Sequence, residues 1–273
     1  MQASEPLRHP LSPVHLRDRD RLAEAVQAAG AVAFKFFGGP LKSWTKGEAA
    51  SPVTEADIAA NELLHKHLMR DGDGWLSEES ENDPARLDAD RVWVVDPIDG
   101  TRAFMAGRED WTISAALVTA GRPVVAALYA PVTRELFLAV AGGGATLNGA
   151  GINVSSGGLA GTRIGGPKRI LERMAADGTG ILPMPRVHSL ALRLARVAHG
   201  ELDAAMAGGN GHDWDLAAAD LLVHEAGGVM TALDGETLIY NRPEPVHGVL
   251  IAAGRERHAA LVHLVRAQTS EPG

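Results

Sequence analysis

The stretch Asp96-Pro97-Ile98-Asp99-Gly100-Thr101 constrains this chain more than any other. It follows Arg91-Val92-Trp93-Val94-Val95, an apolar run that reads as a buried strand. The strand delivers two carboxylates, three residues apart, into a tight turn. Pro97 disfavours helix at Asp96 and keeps that residue extended. Asp99-Gly100 is turn chemistry, because glycine tolerates backbone angles that other residues avoid. The turn is expected to leave the Ile98 carbonyl and the Gly100 and Thr101 amides without obligatory partners. Hard oxygen ligands then stand beside amides able to hold an anion, which points to a magnesium-assisted phosphate site.

Upstream, residues 1–13 hold three prolines and few apolar residues, and read as a loose leader without the apolar core of a signal peptide. Leu16 to Phe37 carries Leu22, Val26, Ala29, Ala33 and Phe36 at helical spacing, closed by Gly38-Gly39-Pro40. Leu41 to Thr45 is expected to be a short strand, and Lys46 to Ser51 a mobile polar loop. Pro52-Val53-Thr54-Glu55-Ala56-Asp57 leads into a helix running to about Met69, with Thr54 as N-cap and Asp57 as its capping-box partner. Trp75-Leu76-Ser77 reads as a strand ending in Glu78-Glu79, a pair that by itself is ordinary solvated surface. Residues 80–90 read as a polar surface loop.

Downstream, Trp111 to Thr119, Pro123 to Ala130 and Glu135 to Val140 predict an antiparallel meander. Gly142-Gly143-Gly144 lacks the Lys-Ser/Thr and helix of a P-loop, and reads as a hairpin connection. Beyond Gly151 strand and helix alternate: a strand over 162–165, helices over Lys168–Ala176 and Val187–Gly200, a strand over Glu201–Ala207, a helix over Asp215–Gly227, a strand over Val249–Ala253 and a helix from Arg255 to about Gln268. The fold class is α/β, with an α+β first lobe built on an antiparallel sheet and an α/β second lobe. One catalytic unit is expected over 14–268, its lobes meeting near 155.

Asp213-Trp214-Asp215 precedes a strongly helical run, so either aspartate is a natural helix cap; a cap needs one carboxylate, and the stretch supplies two. The chain has no cysteine, which excludes disulfides and thiolate metal sites and fits a reducing cytoplasm. A net charge of −8 argues against a nucleic-acid polymer as partner, and no apolar run is long enough for a membrane span. A small phosphorylated substrate is compatible with that charge where metal ions offset it. None of the eleven histidines is assigned a role.

Glu78-Glu79, D-P-I-D-G-T at 96–101, and W-D-L-A-A-A-D with E-A-G-G at 214–228 together resemble the inositol monophosphatase family, in order and spacing, over Leu16 to Val265. Val53 to Asp57 and Lys46, in its loop, also fall where that family has equivalents. The resemblance implies a layered αβαβα sugar-phosphatase-like fold and a Mg2+-dependent phosphomonoesterase. It implies Glu78, Asp96 and the Ile98 carbonyl around a first ion, with Asp96, Asp99 and Asp215 around a second. A third, weaker ion would be supported by Glu78 through water. All these ligands are oxygens, as magnesium prefers, and none is the Cys or His that zinc favours. A metal-activated water, oriented by Thr101 with Asp57 and Glu78, would attack phosphorus in line without a covalent intermediate. Gly100 and Thr101 would hold phosphate oxygens, and Asp215 would also face the substrate. Lithium inhibition and a homodimer are further implications.

On substrate, the family's inositol-binding glutamate is replaced by Gly208, and Ser189-Leu190-Ala191 keeps only part of a serine-leucine-lysine stretch common in bisphosphate nucleotidases. D-P-I-D-G-T-R-A-F and Gly107 to Trp111 look closer to bacterial nucleotidase-like members, and Lys168, Arg186 and Arg193 are candidates to meet a second phosphate. The expected substrate is 3′-phosphoadenosine 5′-phosphate; the alternative is inositol 1-phosphate or another polyol phosphate. A non-catalytic metal-binding regulator is disfavoured, because every residue of the expected set is present.

Overall fold

A computed structural model describes residues 12–47, 51–176 and 178–269. In chain order, α1 (Pro13–Phe34) precedes a small hairpin, β1 (Ser43–Lys46) and β2 (Ser51–Thr54), then α2 (Glu55–Leu68) and β3 (Gly74–Ser77). Next come β4 (Val92–Asp99), the short α3 (Thr101–Met105), and the strands β5 (Thr112–Thr119), β6 (Arg122–Ala130), β7 (Glu135–Val140), β8 (Gly144–Leu147) and β9 (Ala150–Gly151). The remainder is β10 (Arg163–Gly165), α4 (Lys168–Ala176), β11 (Leu182–Pro183), α5 (Leu190–Ala198) and β12 (Ala204–His212). It ends with α6 (Asp213–Glu225), β13 (Gly228–Ala232), β14 (Val246–Gly254) and α7 (Arg255–Thr269).

The strand period of two builds the layers. Along β4, Trp93 and Val95 join Ile113, Ala115 and Leu117 of β5 in a core covered by Leu22, Val26 and Ala29 of α1 and Ala60 and Leu64 of α2. Val92 and Val94 point the other way, with Ala116 and Val118, into a second core filled by Leu194 and Val197 of α5 and by Leu216, Leu222 and Val223 of α6. Ala205, Ala207, Leu250 and Ala252 close that core from a second sheet. Their neighbours Ala204, Met206, Ile251 and Ala253 face a third core with Leu171 and Met174 of α4 and Leu261 of α7. Helices, sheet, helices, sheet, helices: the αβαβα layering is as expected.

The first sheet runs β3-β4-β5-β6-β7-β8-β9 and the second β11-β10-β12-β14-β13. The first is not wholly antiparallel, since β3 pairs with β4 in parallel, Leu76 beside Val94. Chain between them, including a 3-10 turn over Pro84–Asp88, returns the strand to the same end of the sheet. That stretch is not simply surface: Arg86 is 2% exposed. β13 fills the edge of the second sheet beyond β14, where the sequence showed only a glycine stop. α5 starts at Leu190 rather than Val187, and α6 at Asp213 rather than Asp215. β12 starts at Ala204 and continues through its glycines to His212. Pro13 opens α1, so the expected leader lies outside the described residues but for Ser12 and Pro13. Lys46 and Ser51 belong to the hairpin, and 48–50 of the expected loop lie outside the described residues. Among the described residues no helix is long and apolar enough to cross a membrane.

Candidate active site

β4 is buried along its whole length, and its pairing with β5 slips between Asp96 and Asp99. The slip takes up one extra residue, Pro97 and Ile98 facing the single Ile113, and places Asp96 and Asp99 at the strand's end, 1% and 6% exposed. The Asp96 Oδ1 accepts the Ile98 amide at 3.0 Å. Gly100 has φ +96°, and a Cβ there would stand 3.2 Å from the Asp110 carbonyl oxygen and 3.3 Å from the Ser189 amide nitrogen. Glycine is required both by the backbone angle and by the segment packed over it. One expectation needs correction: the Ile98 carbonyl has a partner, the Thr101 hydroxyl at 3.1 Å, and Ile98 is fully buried.

Asp57 enters from the first turn of α2. The capping box is complete: Thr54 Oγ1 accepts the Ala56 and Asp57 amides, while the Thr54 amide and hydroxyl donate to Asp57 Oδ2 at 2.8 and 2.5 Å. The other oxygen, Oδ1, lies 3.3 Å from the Thr101 hydroxyl. The same residue thus caps a helix and reaches the turn. Burial pushes its carboxyl up to about 6, against the Thr54 hydrogen bonds. Glu78 and Glu79, at the end of β3, are not solvated surface. Lys46 Nζ donates to the Glu78 carbonyl and to Glu79 Oε1, both at 2.6 Å, and stands 3.4 Å from Glu78 Oε1.

Asp215 and Asp213 divide the work at the start of α6. Asp215 Oδ2 accepts the His212 amide at 2.7 Å, forming the capping box. Asp213, fully buried, binds His247 Nε2 at 2.6 Å and the Asn241 amide at 2.7 Å. Asn241 in turn receives Arg86 Nη1 at 2.5 Å and donates to the Arg86 carbonyl at 3.2 Å. Asp99, carried by β4, anchors α5: Ser189 Oγ donates to it at 2.5 Å, the Ala191 amide at 2.6 Å and the Leu190 amide at 3.3 Å. The sequence reading gives no role to Arg86, Asp110 or His188, and takes Ser189 only as part of a serine-leucine stretch, not as a partner of Asp99. Ser189 alone carried a signal, a hydroxyl residue before an apolar run.

Asp96, Asp99 and Asp215 each offer an oxygen within 4.8 Å of the others. Glu78, Gly100, Thr101, Arg102, Arg186 and His188 line the same cavity, of about 200 Å3. Glu78 stands outside the close trio and Asp57 reaches the cavity through Thr101. Burial, reinforced by the charges of Glu78 and Asp99, pushes Asp96 well above the carboxylate range. Burial and Asp99 do the same to Asp215. Burial also raises Asp99 and Glu78, opposed by the α5 hydrogen bonds and by Lys46 respectively. A buried set of oxygens that resist sharing negative charge fits a hard divalent cation.

The profile of the inositol monophosphatase family matches residues 16–270. The 3′-phosphoadenosine 5′-phosphate phosphatase of Mycobacterium bovis is 36% identical over 216 residues, 74% of this chain and 75% of the relative. The inositol monophosphatase of Dictyostelium discoideum is 35% identical, over 78% of this chain and 83% of its own. Among solved structures, the extragenic suppressor protein suhB of Bartonella henselae superposes with a TM-score of 0.80 at 29% identity, covering 90% of this chain and 97% of that one. The chain belongs to the inositol monophosphatase family and is a phosphoric monoester hydrolase.

Proposed function

We propose that this phosphatase is magnesium-dependent and prefers a substrate with a second anionic group, best represented by 3′-phosphoadenosine 5′-phosphate. The observation that carries the substrate is a larger cavity, of about 720 Å3, beside the acidic one. Lys168, Arg186 and Arg193 line it, with Leu171, Pro183 and Met184. Arg186 also lines the acidic cavity, so the two share a wall. Arg193 Nε is buried without a hydrogen-bond partner. An apolar floor with Arg186 and Arg193 in its wall, Lys168 being held near Glu172, suits a base or sugar carrying its own phosphate. The alternative, a polyol phosphate, draws support from relatives such as the Dictyostelium protein. Against it, Gly208 stands where the family's inositol-binding glutamate is expected, so this chain offers no carboxylate there to hold a polyol ring.

Asp96, Asp99, Asp215 and Glu78 would hold two Mg2+, or three, with the Ile98 carbonyl reached only by sharing it with Thr101. Bound there, the ions supply positive charge that stabilises entering and leaving oxygens. The chain's own residues do the rest. The amides of Gly100 and Thr101 orient the phosphoryl oxygens. The Thr101 hydroxyl, once it turns its hydrogen from the Ile98 carbonyl to Asp57 Oδ1, accepts from the attacking water and donates to Asp57, which takes the proton. A carboxyl poised at about 6 is a competent base near neutrality. The working unit is 14–268, two lobes meeting near 155, and the setting is the cytoplasm.

The test is phosphate release with Mg2+ from 3′-phosphoadenosine 5′-phosphate, adenosine 3′-phosphate and inositol 1-phosphate. The expected order is the bisphosphate first by at least ~10-fold in kcat/KM, a gain that Arg186→Ala removes. Faster turnover of inositol 1-phosphate would overturn the substrate reading.

A further inference from the structure

Among the described residues, no hydrogen bond or ion pair is found for the side chain of Arg193, although its Nε is buried. The backbone around it fixes its place. Arg193 stands one turn into α5, its amide donating to the Ser189 carbonyl at 3.2 Å. Its stem lies along Gly165 of β10: a Cβ there would come within 3.1 Å of Arg193 Cδ and 3.2 Å of Cγ, so the glycine leaves the stem its groove. The charge at the end of that stem belongs to the wall of the 720 Å3 cavity, with Arg186. Burial pulls Arg193 below the ordinary arginine value, opposed by the charge of Asp99 and reinforced by that of Arg186. Guanidinium stays protonated in proteins, and a charge held away from water without a partner is costly. The empty cavity thus holds two cations that repel each other and lack an anion between them.

The helix that carries Arg193 is also the one that Asp99 anchors, through Ser189 Oγ and the Leu190 and Ala191 amides. Ser189 and Arg193 are four residues apart and share a helix face. The guanidinium is therefore a neighbour of the carboxylate that grips Ser189, and its charge favours the ionised form of Asp99. Asp96 and Asp215 have acidic neighbours instead. Towards an ion entering the acidic cavity, Arg193 acts in two ways. It repels the ion, and it already balances part of the negative charge that the ion would use. In a partly dry site both effects reach further than in water. An anion seated between Arg193 and Arg186 removes both.

We propose that Arg193 couples the two cavities: an anion bound in the cationic one tightens magnesium binding in the acidic one, through the Asp99-anchored start of α5. By linkage magnesium tightens the anion by the same factor. Arg193 is then a positioning and specificity residue that acts through charge and touches no reacting atom. A substrate with a second phosphate raises the affinity of the site for its own ions, while a monophosphate leaves Arg193 unpaired and needs more Mg2+ to reach the same occupancy. The proposal rests on the reading of the cationic cavity as the seat of a second phosphate.

The probe is adenosine 5′-phosphate, which carries the second phosphate and lacks the scissile one. Calorimetry titrates Mg2+ into metal-stripped protein with and without the nucleotide, with free Mg2+ corrected for what the nucleotide binds. In the wild type the nucleotide is expected to tighten Mg2+ by about fivefold or more. Arg193→Gln without nucleotide should bind Mg2+ tighter than the wild type by a similar factor, and the nucleotide should then add less than twofold. Arg193→Met also drops the charge while filling the groove beside Gly165, and serves if Arg193→Gln does not fold. Arg193→Lys, which keeps the charge, should keep the coupling. No coupling in the wild type would overturn the proposal. So would coupling that survives in Arg193→Gln, because the nucleotide would then be acting on the ions directly. A nucleotide that does not bind the wild type, with or without Mg2+, would instead strike at the second-phosphate reading and take this proposal with it.

Discussion

Asp57 makes a prediction that separates its two roles. Its carboxyl ordinarily titrates near 3.8, and burial raises it to about 6 in the fold. At acid pH folded and unfolded chains both hold the proton. As pH rises, the unfolded chain releases it first, so the fold loses stability until pH has passed about 6. A carboxyl held some two pH units high, at ~1.4 kcal/mol each, costs close to 3 kcal/mol when ionised, and most of this develops between pH 4 and 7. Asp57→Asn cannot ionise, so it escapes that cost while giving up ~1 kcal/mol of helix capping. The variant is therefore expected to be ~1 kcal/mol less stable than wild type at pH 4 and at least as much more stable at pH 7, a swing of ~2 kcal/mol. The assay is urea unfolding in EDTA at both pH values, with thermal melts expected to cross by roughly 4–8 °C. A difference that stays constant between the two pH values would refute the reasoning. Activity should still fall by at least ~100-fold, as expected for a lost base.

Magnesium should raise the melting temperature of the wild type, since it offsets repulsion among Asp96, Asp99 and Asp215. Asp96→Asn should remove most of that increment and ~100-fold or more of the activity, read by thermal shift against Mg2+ and by phosphate release. Arg86→Ala should cost about 3 kcal/mol in urea unfolding, because it strips a buried guanidinium from Asn82, Asn241 and the Arg242 carbonyl. Gly100→Ala forces a side chain into φ +96° against Asp110 and Ser189, and should cost roughly 1–3 kcal/mol with loss of turnover.

How much of this was legible follows from where each signal lies in the chain. The apolar run of β4 announced a buried strand, and the turn after it announced two carboxylates. Thr54 and Asp57 announced a cap, correctly, but the sequence cannot show that the cap's second oxygen meets Thr101 from 44 residues away. The parallel β3–β4 pair depends on a connection through Arg86, whose partners, apart from nearby Asn82, lie in the last third of the chain. α5 starts late because Asp110 grips the His188 amide, a contact with no local trace. The puzzle of two aspartates around Trp214 dissolves once His247 and Asn241 are in place for Asp213. What local spacing encodes was readable; what distant segments impose on one another was not.

The Arg86–Asn241 contact spans 155 residues, and this matters while the protein is being made. A ribosome that has delivered Asp57, Glu78, Asp96 and Asp99 has built most of an acidic cluster. Asp215, and the loop that seats Asp213 and Arg86, have yet to emerge. In that interval the half-site carries its mutual repulsion without Asp215 and without the Asn241 segment that fixes Arg86. A chain broken off before Asn241 would keep Arg86 and the acidic half-site without the partners that hold them in the finished fold.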